Sequence, residues 1–190
     1  MLEKFSKHGL SEFSTPMDAR KIYSKLQCPK AGTPEALNMQ GLPYRELIGT
    51  LWWISNGTRP GITYLVTTLA KFSANTAVEH WQAALRVLQQ TKHYCIKNTQ
   101  QLANDTIISR GYSRGYLPSF SDYKFYVDAS FASDPDSRRS ITGYIFFISG
   151  GPVSWQSRMQ TSVAFSSMEA EYMATTAATQ EALWQSRLLQ

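Results

Sequence analysis

The stretch Tyr126-Val127-Asp128-Ala129-Ser130 decides how the second half of the chain folds. It continues an aromatic and β-branched run that begins at Tyr123, which is typical of a short β-strand. It also puts a carboxylate at the end of that strand, where a rigidly held Asp can face solvent or a metal. An Asp at a strand end is often only a turn former, and the Asp-rich loop that follows favours that interpretation when Asp128 is taken alone.

Further runs predict the rest of a sheet. Residues Gly143 to Ser149 indicate a second strand, and Gly150-Gly151 supplies a turn into Val153-Ser154-Trp155, so these two segments should form a hairpin. Another strand is expected from Thr161 to Phe165, before a helix that begins near Ser166. Counted by the runs that begin at Tyr123, Gly143 and Thr161, the predicted order is strand, strand, strand, helix.

Two glutamates, Glu169 and Glu171, lie near the start of that last helix. They point about 200° apart around the helix axis, so only one of them can face the sheet. Glu169 lies three residues after Ser166, which is the position of a capping-box glutamate, and is expected to be structural. Glu171 falls at the edge of the predicted apolar arc. That arc consists of Ala170, Met173, Ala174, Ala177, Ala178, Trp184 and Leu188.

Asp128 and Glu171 form the candidate site. A carboxylate beside an apolar surface costs free energy unless a cation or a donor meets it, which makes Glu171 a functional candidate. Packing of the helix on the sheet is expected to bring it near Asp128, and carboxylate oxygens are the hard ligands that Mg²⁺ prefers. Glu181 also projects into the apolar arc, where the sequence offers no role for it beyond a salt bridge.

The first half of the chain predicts helices. Residues 1–42 show no sustained period and are expected to be loosely ordered, 43–97 to be helical, and 98–122 to be a linker. Three helices are expected in 43–97, the third opened by a capping box of Thr76 and Glu79. Their aromatic residues are expected to be core. The predicted stripes contain Tyr44, Leu47, Ile48, Leu51 and Trp52, then Ile62, Leu65, Val66 and Leu69, then Val78, Trp81, Ala84, Leu85 and Leu88, while Trp53 is also expected to be buried.

Composition narrows the functional classes. The 190 residues are 43% hydrophobic, which is ample for a core, and the net charge of +5 favours an anionic partner such as nucleic acid. Cys28 and Cys95 lie far apart without clustered His, which argues against a zinc site or a disulfide framework. Neither a signal peptide nor a membrane span is apparent, so we expect an intracellular protein, cytoplasmic or nuclear.

Several motifs together identify a family. The segment from Tyr126 to Tyr144, with Arg-Arg-Ser-x-x-Gly-Tyr after an Asp-rich loop, resembles the opening strands of copia-type retrotransposon ribonuclease H domains. Gly151-Pro152-Val153-Ser154-Trp155 and Ser166-Ser167-Met168-Glu169-Ala170-Glu171-Tyr172 continue the resemblance. Upstream, Tyr44-Arg45-Glu46-Leu47-Ile48-Gly49 and Glu79-His80-Trp81 resemble the region that follows the polymerase palm. Nearly the whole chain is covered.

The resemblance implies a fold and an activity. It implies an α/β fold: an incomplete ribonuclease H-like mixed sheet at 123–190, preceded by a helical thumb or connection region of reverse transcriptase. It implies that Asp128 and Glu171 are two of four carboxylates holding two Mg²⁺ ions for hydrolysis of the RNA strand of RNA·DNA hybrids. Arg138 and Arg139, within the motif, are expected to contact nucleic acid. The remainder of a Pol polyprotein is a further expected partner.

The resemblance also implies that the site is incomplete. The third and fourth carboxylates of the family would lie beyond Gln190, and the strand expected beside the Asp128 strand would be absent, which leaves an open edge. We therefore expect a chain that is inactive by itself. Two alternatives stay open: a noncatalytic nucleic-acid-binding or assembly module, and a decayed transposon remnant.

Overall fold

The computed structural model describes residue 5 and residues 15–18, 21–30, 32–104, 123–148 and 151–189, with the backbone alone for 92–104. Within these ranges it contains five α-helices and one three-stranded antiparallel sheet, so the predicted α/β class is confirmed. The chain divides into two compact units, Met1–Ile54 with Thr68–Leu117, and Ser55–Thr67 with Pro118–Gln190. Residues 55–67, which the sequence groups with the helices, thus belong with the strands.

The helices of the first half depart from expectation at two places. They are α1 (Pro34–Gln40), α2 (Tyr44–Thr58), α3 (Thr63–Ala70) and α4 (Val78–Asn104), with short 3-10 helices at Lys25–Gln27 and Pro60–Ile62. Helix α1 falls in the part expected to be loosely ordered, and its signals were the Thr33 cap, which accepts from the Ala36 N–H, and Pro34 in the first turn. Helix α4 runs into the predicted linker because residues 98–104 contain neither Gly nor Pro.

The helical stripes are mostly buried as predicted, but two tryptophans are not. Leu47, Leu51 and Trp81 are buried, whereas Trp53 is 79% exposed and Trp52 is 43% exposed. The prediction of a core role was therefore wrong for both. Trp53 lies about 180° around the helix from the centre of the buried stripe, so it faces solvent.

The start of α4 is organised by a buried histidine rather than by the predicted capping box. The Ala77 N–H donates to His80 Nδ1 at 3.2 Å, and His80 Nε2 lies 3.2 Å from Gln27 Oε1. The ring of His80 stacks on Phe72 with centroids 3.8 Å apart. The Thr76 hydroxyl donates to the Phe72 carbonyl instead of capping the helix, so that prediction was wrong. A side chain in the first turn of the helix still satisfies an otherwise unpaired backbone donor.

The strand-containing unit is built from three strands and one long helix. These are β1 (Lys124–Ser130), β2 (Ile141–Ile148), β3 (Gly151–Met159) and α5 (Ser167–Leu188). The strand order is β1-β2-β3 and both pairings are antiparallel, which confirms the predicted β2–β3 hairpin. Ser149 and Gly150 of its turn lie outside the described residues.

One expectation for this unit was wrong. Thr161 to Phe165 form no strand: β3 ends at Met159, and Phe165 is 94% exposed. The sheet is antiparallel over the residues that the structure describes, and the incomplete ribonuclease H-like mixed sheet stays a prediction. None of the helices, over the described residues, is long and apolar enough to cross a membrane.

Glu181 gains a role that the sequence did not reveal. Its carboxylate accepts a hydrogen bond from the Ser154 hydroxyl of β3 at 2.7 Å and one from Gln185 Nε2 at 2.9 Å. The Tyr123 hydroxyl in turn donates to Gln185 Oε1 at 3.0 Å. Burial, and to a smaller extent the Glu181 charge, raises the pKa of Tyr123 and Tyr144. The second half of α5 is thus joined to the sheet by polar contacts.

Gln160 fixes the first half of α5. It is 7% exposed, and its Nε2 donates both to Thr142 Oγ1 at 3.1 Å and to the Ala170 carbonyl at 2.9 Å. One side chain therefore ties the end of β3 to β2 and to the helix. The turn of α5 that carries Glu171 is held in place by this contact.

Removal of the Glu181 carboxylate should destabilise the protein. Glu181→Ala leaves Ser154 and the buried Gln185 without their acceptor, and we expect a loss of about 1–3 kcal/mol in the free energy of unfolding. Urea denaturation followed by circular dichroism measures it. The matched control is Glu171→Ala on the exposed side of the same helix, with a change of about 0.5 kcal/mol or less. Equal unfolding midpoints for the two variants would contradict this role.

Candidate functional site

The direction of Asp128 follows from the packing of its neighbours. Ala129 is buried in one cluster with Ala170 and Ala174 of α5, and Val127 packs against that cluster. Because successive side chains of a strand point to opposite faces, Asp128 projects from the face that α5 does not cover. Its cross-strand partner there is Gly143.

On that face Asp128 lines a groove of about 320 Å³. Its other walls include Tyr126 and Trp155 from the sheet and Thr63 and Tyr64 from residues 55–67. A methyl group built on Gly143 would meet nothing closer than the Asp128 carbonyl oxygen at 3.9 Å, so the glycine leaves room beside the carboxylate. The groove therefore combines aromatic walls with one acidic group.

Two hydrogen bonds secure residues 55–67 on β3. The Thr67 hydroxyl donates to the Ser157 carbonyl at 3.1 Å, and Trp155 Nε1 donates to the Ser55 carbonyl at 3.0 Å. The Thr63 hydroxyl is buried and has no hydrogen-bond partner within the described part of the chain. Local sequence patterns do not reveal this arrangement, because residues 55–67 and β3 are far apart along the chain.

Glu171 lies in the second turn of α5. It is exposed on α5, 60° or so from the line of small residues that face the sheet, as the helix projection predicts. The desolvation argument for Glu171 was wrong, however, because an exposed carboxylate keeps its hydration. Ala170, the neighbour of Glu171, shares a buried cluster with Ala129, the neighbour of Asp128, so the helix turn with Glu171 packs near the strand end with Asp128. The joint role of the two carboxylates as metal ligands stays a prediction.

The acidic and metal-ligating side chains of the described residues do not form a cluster. Among the residues that the structure describes, no three His, Cys, Asp or Glu side chains are close enough to hold a metal ion. The described residues therefore form no complete metal site, and the binding of Mg²⁺ by Asp128 and Glu171 stays a prediction.

Glu169 is a helix cap, as predicted. The Glu169 N–H donates to Ser166 Oγ at 3.1 Å, and the Glu169 carboxylate accepts from the Phe165 N–H at 2.7 Å. In a capping box the glutamate carboxylate accepts from the backbone N–H of the cap residue, which is Ser166 here. The Glu169 carboxylate accepts instead from the N–H of Phe165, one residue before the cap. Glu169 therefore has a structural role as a helix cap, and its side chain points in a different direction from that of Glu171.

The Arg-Arg-Ser motif lies in the loop after β1, where buried hydrogen bonds give its serine a structural role. Ser140 is fully buried, and its hydroxyl accepts from the Ala132 N–H at 3.0 Å. Asp134 is buried as well, and its carboxylate accepts from both the backbone and the hydroxyl of Ser137. Asp134 is thus a turn former. These contacts close the loop between β1 and β2.

The two arginines of the motif lie on this loop. Arg138 is exposed and has a φ of +57°, a left-handed conformation that few non-glycine residues adopt. Its N–H donates to the Asp134 carbonyl at 2.8 Å, which holds that conformation. Arg139 is half-buried, so Arg138 is the more accessible cation of the pair.

Known proteins similar to the chain include transposon polyproteins. The chain is 36% identical to the retrovirus-related Pol polyprotein from transposon TNT 1-94 of Nicotiana tabacum, over 100% of this chain and 13% of the polyprotein. It is 33% identical to the corresponding polyprotein from transposon RE1 of Arabidopsis thaliana, over 77% of this chain and 9% of the polyprotein. No family model and no solved structure matches the chain.

Another relative has a different name. The chain is 38% identical to the secreted RxLR effector protein 161 of Plasmopara viticola, over 77% of this chain and 93% of that protein. Because that relative is named as secreted, the intracellular location expected from the sequence stays a prediction. The chain spans only a small fraction of the transposon polyproteins that it matches. On its similarity to the transposon polyproteins, the chain belongs to the family of retrovirus-related Pol polyproteins of copia-type transposons.

Proposed function

We propose that the chain is the part of a Pol polyprotein in which the end of a reverse transcriptase meets a ribonuclease H-like domain. In this proposal Asp128 and Glu171 descend from Mg²⁺ ligands of a nuclease that hydrolyses the RNA strand of RNA·DNA hybrids. By itself, the chain does not catalyse that reaction. The similarity to Pol polyproteins and the Asp-rich loop with its Arg-Arg-Ser motif support this ancestry.

The small number of acidic ligands carries the proposal of inactivity. A two-metal mechanism needs ions about 3.5–4 Å apart, so that one activates water and the other stabilises the leaving oxygen. Among the residues that the structure describes, no three His, Cys, Asp or Glu side chains are close enough to hold a metal ion. Asp128 and Glu171 alone offer too few ligands to fix two ions, so activity would require further ligands.

A cleavage assay with the whole chain tests the proposal. The purified protein is incubated with a labelled RNA·DNA hybrid and Mg²⁺, beside an active ribonuclease H as positive control. We expect no more cleavage than with the Asp128→Asn variant, because two carboxylates are too few ligands to fix two ions. Cleavage by the unaltered chain that Asp128→Asn abolishes and Asp136→Asn retains would refute the proposal, since Asp136 is an exposed acid of the neighbouring loop.

A second candidate function is binding of nucleic acid without catalysis. The exposed Arg138 supports it, because its extended cationic side chain stands on a closed, hydrogen-bonded loop. The net charge of +5 adds long-range attraction for phosphate. The aromatic walls of the groove, Tyr126 and Tyr64, offer faces on which unpaired bases can stack.

The salt dependence of hybrid binding distinguishes phosphate contacts made by Arg138 and Arg139 from the general attraction of a positively charged chain. We expect hybrid binding to weaken with salt, and Arg138→Gln combined with Arg139→Gln to reduce the slope of log K against log salt by about 1–2. Fluorescence anisotropy of a labelled hybrid measures it. Arg187→Gln, near the end of α5, removes a cation from the same unit and should change the slope less. No binding at low salt, or equal effects of these variants, would end this candidate.

A further inference from the structure

A crevice of about 280 Å³ lies between β3 and α5. It exists because Ala170 and Ala174 of the helix pack on Ala129 of β1, while β3 lies at the other end of the strand order. The side chains of β3 beside the helix therefore stay partly uncovered. All residues that line the crevice lie between 142 and 177, and the structure describes their sequence neighbours.

The pairing of the strands determines which side chains of β3 face the helix. Arg158 lies opposite Thr142 in the β2–β3 pairing, and Thr142 lies opposite Ala129 in the β1–β2 pairing. Because Ala129 packs under α5, all three side chains project from the helix side of the sheet. Gln156, two residues before Arg158, projects from the same side.

Arg158 gives the crevice a positive charge. Its side chain is exposed and makes neither an ion pair nor a side-chain hydrogen bond within the part of the chain that the structure describes. Among the described lining residues there is no Asp or Glu. Glu181, farther along α5, is already hydrogen-bonded to Ser154 and Gln185. Since a guanidinium binds phosphate oxygens through two parallel N–H groups, the crevice is suited to an oxyanion.

Gln160 adds a buried acceptor to the same crevice. The side chain is 7% exposed, and its Nε2 donates to Thr142 Oγ1 and to the Ala170 carbonyl. A carbonyl oxygen can only accept, so the contact with Ala170 fixes which way the amide points. The Oε1 atom is buried and has no hydrogen-bond partner among the described residues. Buried acceptors normally meet a donor, and a hydroxyl group of a bound molecule would supply it.

We propose that this crevice binds a small polyol phosphate, with the phosphate on Arg158 and Gln156 and a hydroxyl group donating to Gln160 Oε1. Phosphate has more acceptor oxygens than a carboxylate for the guanidinium and amide donors. Sites for small molecules begin at about 300 Å³, so the crevice fits a small ligand rather than a peptide. Its carbon chain would lie against Met173.

The proposal does not rest on the nuclease ancestry. Met173 and Glu171 are two residues apart and point about 200° apart around the axis of α5. The crevice therefore lies on a different flank of the helix from the candidate metal ligand Glu171.

Matched probes test the two halves of the site. In heteronuclear NMR of the full chain, glycerol 3-phosphate should shift the signals of Arg158, Gln160 and Met173. It should bind about tenfold or more tightly than inorganic phosphate or glycerol, because each of these carries only one of the two groups. Glycerate carries a carboxylate in place of the phosphate and should bind more weakly.

Variants of the crevice test the assignment of the phosphate. Arg158→Gln should weaken glycerol 3-phosphate binding about tenfold or more, whereas Arg187→Gln removes the same charge near the end of α5 and should leave it unchanged. Ala177→Leu fills the crevice without a change of charge and should abolish binding. Circular dichroism confirms that each variant is folded. Absence of shifts at the crevice, equal affinities for glycerol 3-phosphate, phosphate and glycerate, or equal effects of the two arginine variants would overturn the proposal.

Discussion

The packing of Val127 and Ala129 against Ala170 and Ala174 fixes the strand-containing unit. Small side chains on both elements let the helix lie close to the strand. Because side chains alternate between the two faces of a strand, this contact determines the face on which each remaining side chain of β1 lies. Asp128 has to project from the opposite face, beside Gly143 and under residues 55–67. The carboxylate that resembles a metal ligand is therefore positioned by an apolar contact in which it takes no part.

Two sets of polar contacts keep α5 on that face. Gln160 binds its first half through the Ala170 carbonyl, and Glu181 binds its second half through Ser154. Because the helix is tied at both places, the turn that carries Glu171 is held against the sheet.

Local patterns in the sequence predicted most of the elements and some of the roles. The helical stripes, the β2–β3 hairpin and the Glu169 cap follow from periodicity and from short-range capping rules. The direction of Asp128 does not, because the hydrophobic pattern of β1 does not say which face the helix will cover. Glu181 looked unexplained because its partner Ser154 lies on a strand 27 residues earlier, where local patterns carry no information.

The errors have similar causes. Trp53 was expected in the core because of its type, although its angular position on α2 places it opposite the buried stripe. Thr161 to Phe165 has the composition of a strand, but Ala164 is buried in the cluster under α5 and Phe165 leads into the helix cap. Residue type alone predicted burial and secondary structure poorly where tertiary contacts determine them. The groove beside Asp128 is one such place.

The incompleteness of the metal site is tested most directly by binding of Mn²⁺ to the unaltered chain, to Asp128→Asn, to Glu171→Gln and to the double variant. Electron paramagnetic resonance counts the bound ions. We expect only weak binding, because two carboxylates without further ligands do not fix a pair of ions. Two tightly bound Mn²⁺ ions that either substitution alone removes would contradict this account.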